Sequence, residues 1–231
     1  MADATSSTQR FARKDATLAL LSFISSISDV LSFLTLSNVF TSGMTGNTAL
    51  LGLAVGQGQI FTASHSAFAL AGFALGVACG TLLSRTEDHR VGLAGLLSLE
   101  ALCLGAFCGI WFAFEHPAGS AAIYLLIALA ATGMGIQTVV ARRINAPGIP
   151  TVVFTTTLTN IVMAATDAVA RRAPLSFDSK RQIGIFAVYL AGATLAGVLA
   201  SRQLSVLAVL PLVAVLSALA IEFRSRAEAA S

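Results

Sequence analysis

Residues 28–47 of this 231-residue chain read SDVLSFLTLSNVFTSGMTGN. The stretch opens on a carboxylate, Asp29, set in an apolar run, and closes on a polar, glycine-containing interruption from Thr41 to Asn47. A related interruption recurs at 154–160, Phe-Thr-Thr-Thr-Leu-Thr-Asn. What surrounds them decides how they are read. Hydrophobic residues make up 56% of the chain and charged residues only 11%, and the mean hydropathy is +0.83. Soluble domains carry about 25% charged residues, so this is an integral membrane protein. No polar stretch is long enough for a separate soluble domain, which leaves one membrane domain.

Working outward, about 20 apolar residues are needed to cross a bilayer as a helix. Six runs reach that length: 16–39, 61–84, 91–114, 119–141, 182–201 and 203–223. Two more, 44–56 and 151–170, follow the polar interruptions; the first is too short to cross and the second starts rich in threonine. Residues 1–15 and 224–231 read as cytoplasmic ends of a domain spanning 16–223, with halves at about 16–115 and 119–223. The first run exceeds the roughly 7–15 residues of a signal-peptide core, so it is expected to be an uncleaved span.

Charge placement decides between six spans and eight. With a cytoplasmic N-terminus and with 44–56 and 151–170 only half-crossing, Arg202 alone of the 14 Lys and Arg residues lies outside. If both cross fully, Arg85, Arg90, Arg142 and Arg143 join it. Positive residues gather on the cytoplasmic side. The expected fold is therefore an all-α polytopic membrane protein with six transmembrane helices and two short or broken segments, eight spans being the alternative. It is expected in the bacterial inner membrane, with both termini cytoplasmic. The same reading accounts for the net charge of +3 without nucleic acid, since no basic stripe carries interleaved aromatics.

The halves resemble each other. Phe40-Thr41 and Asn47 match Phe154-Thr155 and Asn160, with a one-residue gap, and Leu70-Ala71-Gly72-Phe73-Ala74-Leu75 matches Leu190-Ala191-Gly192-Ala193-Thr194-Leu195. Gly135-Ile136-Gln137 then aligns with Ile27-Ser28-Asp29, making Gln137 the counterpart of Asp29. With six spans the halves run in opposite directions. Inverted repeats with interrupted helices near the midplane are a plan of secondary transporters. Eight spans would make the repeats parallel.

A carboxylate in mid-span costs roughly 2.5–3.5 kcal/mol on insertion scales and is a functional candidate by default. Asp29, Glu100 and Asp167 are the acids within apolar runs and rank in that order as proton-coupling candidates, Asp167 standing four residues from Arg171 as an alternative ion pair. If the two short segments start at depth, their free N–H groups favour an anionic or polar ligand group. The candidate substrate contacts are Asp29, Thr41, Thr45, Gly46, Asn47, Gln137, Thr155, Thr157, Thr159 and Asn160. Gly43 and Gly46 permit bends and close approach of the backbone. Gly72, Gly76 and Gly80 make a smooth helix face suited to close packing within the chain. Cys79, Cys103 and Cys108 lack metal or disulfide spacing and read as small core residues. No nucleophile–base pair, phosphate loop or metal pair stands out, so neither enzyme activity nor a cofactor or metal is expected.

Asp29, Phe33-Leu34, Val39-Phe40, Met44-Thr45-Gly46-Asn47-Thr48 and Leu51-Gly52 together resemble the YoaK-like family of bacterial inner-membrane proteins. Gly135-Ile136-Gln137, Arg142-Arg143, Ile149-Pro150-Thr151, Thr155 and Leu158-Thr159 are similar to that family's second signature. The resemblance covers roughly residues 15–223. The chain departs from the family pattern at Ser28, at Thr138 and at Thr156, where glycine, asparagine and glycine are commoner. The resemblance implies a presumed small-molecule transporter and names no ligand. The expected function is a secondary transporter of a small polar or anionic metabolite, with Asp29 as the candidate for proton coupling. A passive channel, or a structural or regulatory membrane subunit, is the alternative. The expected partners are the substrate and the lipid bilayer, with homo-oligomerisation left open.

Overall fold

The structure is a computed structural model that describes residues 2–85, 89–114, 120–144 and 154–230. Eight helices cover them: α1 (Ala2–Thr35), α2 (Met44–Gly56), α3 (Ile60–Ser84), α4 (His89–Ala113), α5 (Ala121–Arg143), α6 (Phe154–Arg171), α7 (Phe177–Ala200) and α8 (Leu204–Ala230). Six of them, α1, α3, α4, α5, α7 and α8, are long and apolar enough to cross a membrane. This is an all-α polytopic membrane protein. The polar first residues continue α1 rather than preceding it, and the C-terminal residues continue α8.

Helices α1 and α5 form the centre: 67% and 61% of their spanning windows are buried, against 17% for α7. The two run antiparallel. Gln137 Nε2 of α5 donates to Leu21 O, and Ser25 of α1 donates to Met134 Sδ at 3.9 Å. Helix α3 lies parallel to α5 and almost touches it. A Cβ on Gly72 would stand 2.8 Å from Ala128 O, and one on Gly76 or Gly80 would meet Thr132 or Val139. The small-residue face read from sequence therefore packs backbone to backbone within the chain. Helix α7 lies parallel to α1, tied by the Asp15–Arg181 ion pair and by Ser22 Oγ donating to Ile185 O at 3.0 Å. Helices α4 and α8 fill the remaining sides of the pair. The cysteines are free; Cys108 donates to Ala208 O at 3.1 Å.

The two short helices lie outside this bundle, α2 on α3 and α6 on α7. Thirteen residues of α2 span about 20 Å, short of a hydrocarbon core of roughly 30 Å. Helix α1 ends at Thr35, and the chain then folds back so that Thr41 and Ser42 bond to Asp29, nearly two turns before that end. The return needs two consecutive left-handed residues, Ser37 (φ 61°) and Asn38 (φ 61°). Helix α2 thus starts beside Phe73 and Val77, in the middle of α3, and runs out to the hairpin that begins α3. Helix α6 starts at Phe154, so the stretch 154–160 is helix and not an interruption; Ile149, Pro150 and Thr151 lie outside the described residues. Its start shares a cavity with Tyr189, midway along α7, and it runs towards the start of α7.

Candidate functional site

Asp29 is 3% exposed, and its two oxygens accept five hydrogen bonds. Oδ1 takes Thr41 N at 2.8 Å, Thr41 Oγ1 at 3.0 Å and Ser42 N at 2.7 Å; Oδ2 takes Ser42 Oγ at 2.5 Å and the Tyr189 hydroxyl at 3.1 Å. A carboxylate among donors makes hydrogen bonds worth roughly 1.5–3 kcal/mol each. Asp29 is therefore the clasp that holds the return loop against α1 and ties both to α7. Asn47 does a parallel job one turn into α2. Its Oδ1 accepts from Phe40 N at 2.9 Å and its Nδ2 donates to Phe40 O at 2.6 Å.

These bonds shape a cavity of about 830 Å³. It is lined by Asp29 from α1, by Phe40 and Ser42–Gly46 from the loop and the start of α2, and by Phe73, Val77, Thr81 and Ser84 from α3. Thr138, Val139, Arg142 and Arg143 line it from α5, Thr155 from α6 and Tyr189 from α7. Gly43 caps α2, without a side-chain cap hydrogen bond. The first N–H groups of a helix lack partners within it, so Thr45 and Gly46 bring donor groups and the positive end of a helix dipole to the cavity wall. The two glycines serve close approach rather than unusual backbone angles. Gly43 has φ −80°, and a Cβ on either residue would sit 3.1 Å from the Phe40 side chain. Arg142 and Arg143 stand on the same wall, the Arg143 guanidinium lying beside Gly92 of α4 and donating to Ser84 O. Among the described lining residues, two are basic, Arg142 and Arg143, and one is acidic, Asp29.

Of the residues singled out from sequence, Asp29, Thr45, Gly46 and Thr155 line the cavity. Thr41 and Asn47 are buried behind it and spend their polar atoms on the loop. Gln137 lies in the core, bonded to Leu21 O and to Ser25 Oγ at 2.6 Å. Thr157 is buried, Thr159 donates to Thr155 O of its own helix, and neither they nor Asn160 line the cavity. Glu100 is fully buried away from it. Asp167 is exposed on α6 and belongs to none of the ion pairs of the described residues. Sequence reasoning missed Tyr189, Ser42, Arg142, Arg143 and Phe40 as cavity residues. A lone tyrosine within an apolar span and an Arg-Arg pair at a span end were the available signals.

Residues 17–221 match the family described as "Protein of unknown function (DUF1275)". The chain is similar to the UPF0700 transmembrane protein YoaK of Bacillus subtilis (strain 168), 36% identical over 155 residues that make up 65% of this chain and 67% of the relative. The resemblance carried by Met44–Thr48 and its surroundings agrees with both findings. No solved structure matches the chain.

Proposed function

The chain belongs to the DUF1275 family, a family of unknown function, and we propose that it is a secondary transporter of a small anionic or polar metabolite in the bacterial inner membrane. The observation that carries this reading is the cavity. The start of α2 opens onto it, Thr155 at the start of α6 lines it, and so do Arg142 and Arg143. Helix starts with free N–H groups favour anionic groups, and discontinuous helices at mid-depth supply such starts in transporters.

An inverted repeat supports the same reading. Exchanging α1–α4 for α5–α8 turns every packed pair of helices into another packed pair: α3 with α5 becomes α7 with α1, α4 with α5 becomes α8 with α1, and α2 with α3 becomes α6 with α7. Gly72 faces α5 near Ala131 as Gly192 faces α1 near Phe23. Because α1 and α5 are antiparallel, α2 leaves the cavity towards one side of the membrane and α6 towards the other. With both termini cytoplasmic, Gln57→Cys labels from outside and Leu175→Cys from inside; labelling of both from one side overturns the inverted arrangement.

Binding is tested by a thermal-shift screen of purified protein against small carboxylates, phosphate and uncharged polar metabolites across pH. An anion raises the Tm, and Arg142→Gln weakens it about tenfold, the equivalent of roughly 1.4 kcal/mol. Uptake of that compound into proteoliposomes then saturates, and Asp29→Asn abolishes it while the protein stays folded. Unsaturable flux points instead to a passive channel. Wild-type uptake by the Asp29 variant removes that residue from the cycle.

A further inference from the structure

Glu100 is fully buried on α4, and neither of its carboxyl oxygens has a hydrogen-bond partner among the described residues. The antiparallel packing of α4 on α5 fixes its level. Gly92 stands beside Arg143 and Gly133 beside Cys103 and Leu104, which puts Glu100 opposite Gln137. Gln137 spends its Nε2 on Leu21 O and Ser25 Oγ, while its Oε1 is buried without a partner. On the other side, Cys108 bonds Ala208 O, so the antiparallel α8 brings Val215 to the level of Glu100. One layer of the core therefore holds Ser25, Glu100 and Gln137, with three unpartnered buried oxygens.

We propose that this layer is a proton-binding site, with Glu100 as the group that takes up and releases the proton and Gln137 Oε1 as the acceptor for its O–H. The alternatives are poorer. A bare carboxylate without a partner in an apolar interior costs several kcal/mol, whereas a carboxylic acid offers one donor and the layer offers an acceptor for it. A metal cation of the calcium type needs about 6–8 oxygens, and the layer supplies the pair on Glu100, Gln137 Oε1 and Ser25 Oγ. Among the described residues, Glu100 belongs to no ion pair. Helix α8 presents Ala214, Val215 and Ala218; the nearby titratable groups are Cys103 on α4 itself and Cys79 on α3. Asp29 lies one turn beyond Ser25 on α1 and is already bonded to the return loop and Tyr189.

The assignment rests on the transport reading only for what the proton drives. Infrared spectroscopy of the purified protein tests the site itself, without a substrate. Wild type shows the carbonyl band of a water-excluded carboxylic acid. Glu100→Gln lacks it, Asp29→Asn keeps it, and transfer to heavy water shifts it within minutes because the proton exchanges with bulk. Should Glu100→Gln not fold, Glu100→Asp moves the band, and Gln137→Leu moves it by removing the acceptor. A wild type without the band, a band that survives loss of Glu100, or one unshifted after a day in heavy water overturns the proposal. Each of those results leaves the transport reading standing. Conversely, absence of uptake by wild type sinks that reading and leaves the infrared outcome to decide the site.

Discussion

The two short helices each pack on the helix that follows, α2 on α3 and α6 on α7, and their described hydrogen bonds differ. Helix α2 enters through a loop clamped by Asp29 and Asn47, with six hydrogen bonds directed at Phe40, Thr41 and Ser42. In α6, Thr159 donates to Thr155 O and Thr166 to Val162 O within the helix, while Thr157 is buried and partnered. Gln137, the counterpart of Asp29 by sequence, turns instead to Leu21 and Ser25 in the core. The aligned residues Asp29 and Gln137 thus do two jobs, a loop clasp and an interhelical tie. In the proposed cycle, the bonds at Asp29 and Asn47 make the first half-helix the fixed wall.

The largest effect that tests this contrast belongs to Asp29→Ala. It leaves Thr41 N and Ser42 N buried without an acceptor, at about 1–3 kcal/mol each. Unfolding in detergent is expected to show a loss of about 3 kcal/mol or more, with protease cutting between 36 and 43. Gln137→Ala strips two donated bonds whose acceptors are cheaper to leave, so about 1–2 kcal/mol is expected. Equal losses would mean that the two positions are clasps of the same kind.

Two glycines at helix contacts give the next comparison. A Cβ on Gly76 meets the backbone carbonyl of Thr132, and backbone cannot rotate away; one on Gly192 meets the Ser26 hydroxyl and the Phe23 ring, which can. Overpacking costs typically 1–3 kcal/mol, so Gly76→Ala is expected near the top of that range and Gly192→Ala at its foot. The Tm of the two variants, measured side by side, decides it. Reversal of the order would show that the α1–α7 contact is the tighter of the two.

The six spans were legible because apolar length is a local property of the chain, as in Ile60–Ser84 or Leu204–Ala230. The shortness of 44–56 was equally visible. The direction of side chains was not. Thr41 and Asn47 carry the right chemistry for a ligand, yet their polar atoms go to Asp29 and Phe40, because a loop that returns into the interior must satisfy its own backbone first. Tyr189 escaped notice for the converse reason. Its partner lies 160 residues away, and nothing in its apolar surroundings marks that pairing. Glu100 was visible as a buried acid, but its level opposite Gln137 emerges only from the antiparallel packing of α4 on α5.

The smallest effects probe the helix starts themselves. Gly46→Ala brings a Cβ to 3.1 Å from the Phe40 ring. That ring stacks on Phe33 at 5.0 Å, and Phe33 is 37% exposed, so the pair can tilt by a few tenths of an ångström. A cost of about 1 kcal/mol is expected, at the low end of overpacking. Thr159→Val in α6 removes a hydroxyl that bonds only to Thr155 O of its own helix, and a surface change of that kind stays within about 0.5 kcal/mol. The two are read from Tm in the same detergent. If Thr159→Val costs as much as Gly46→Ala, the start of α6 is braced as firmly as that of α2. The first half-helix would then have no claim to be the fixed one.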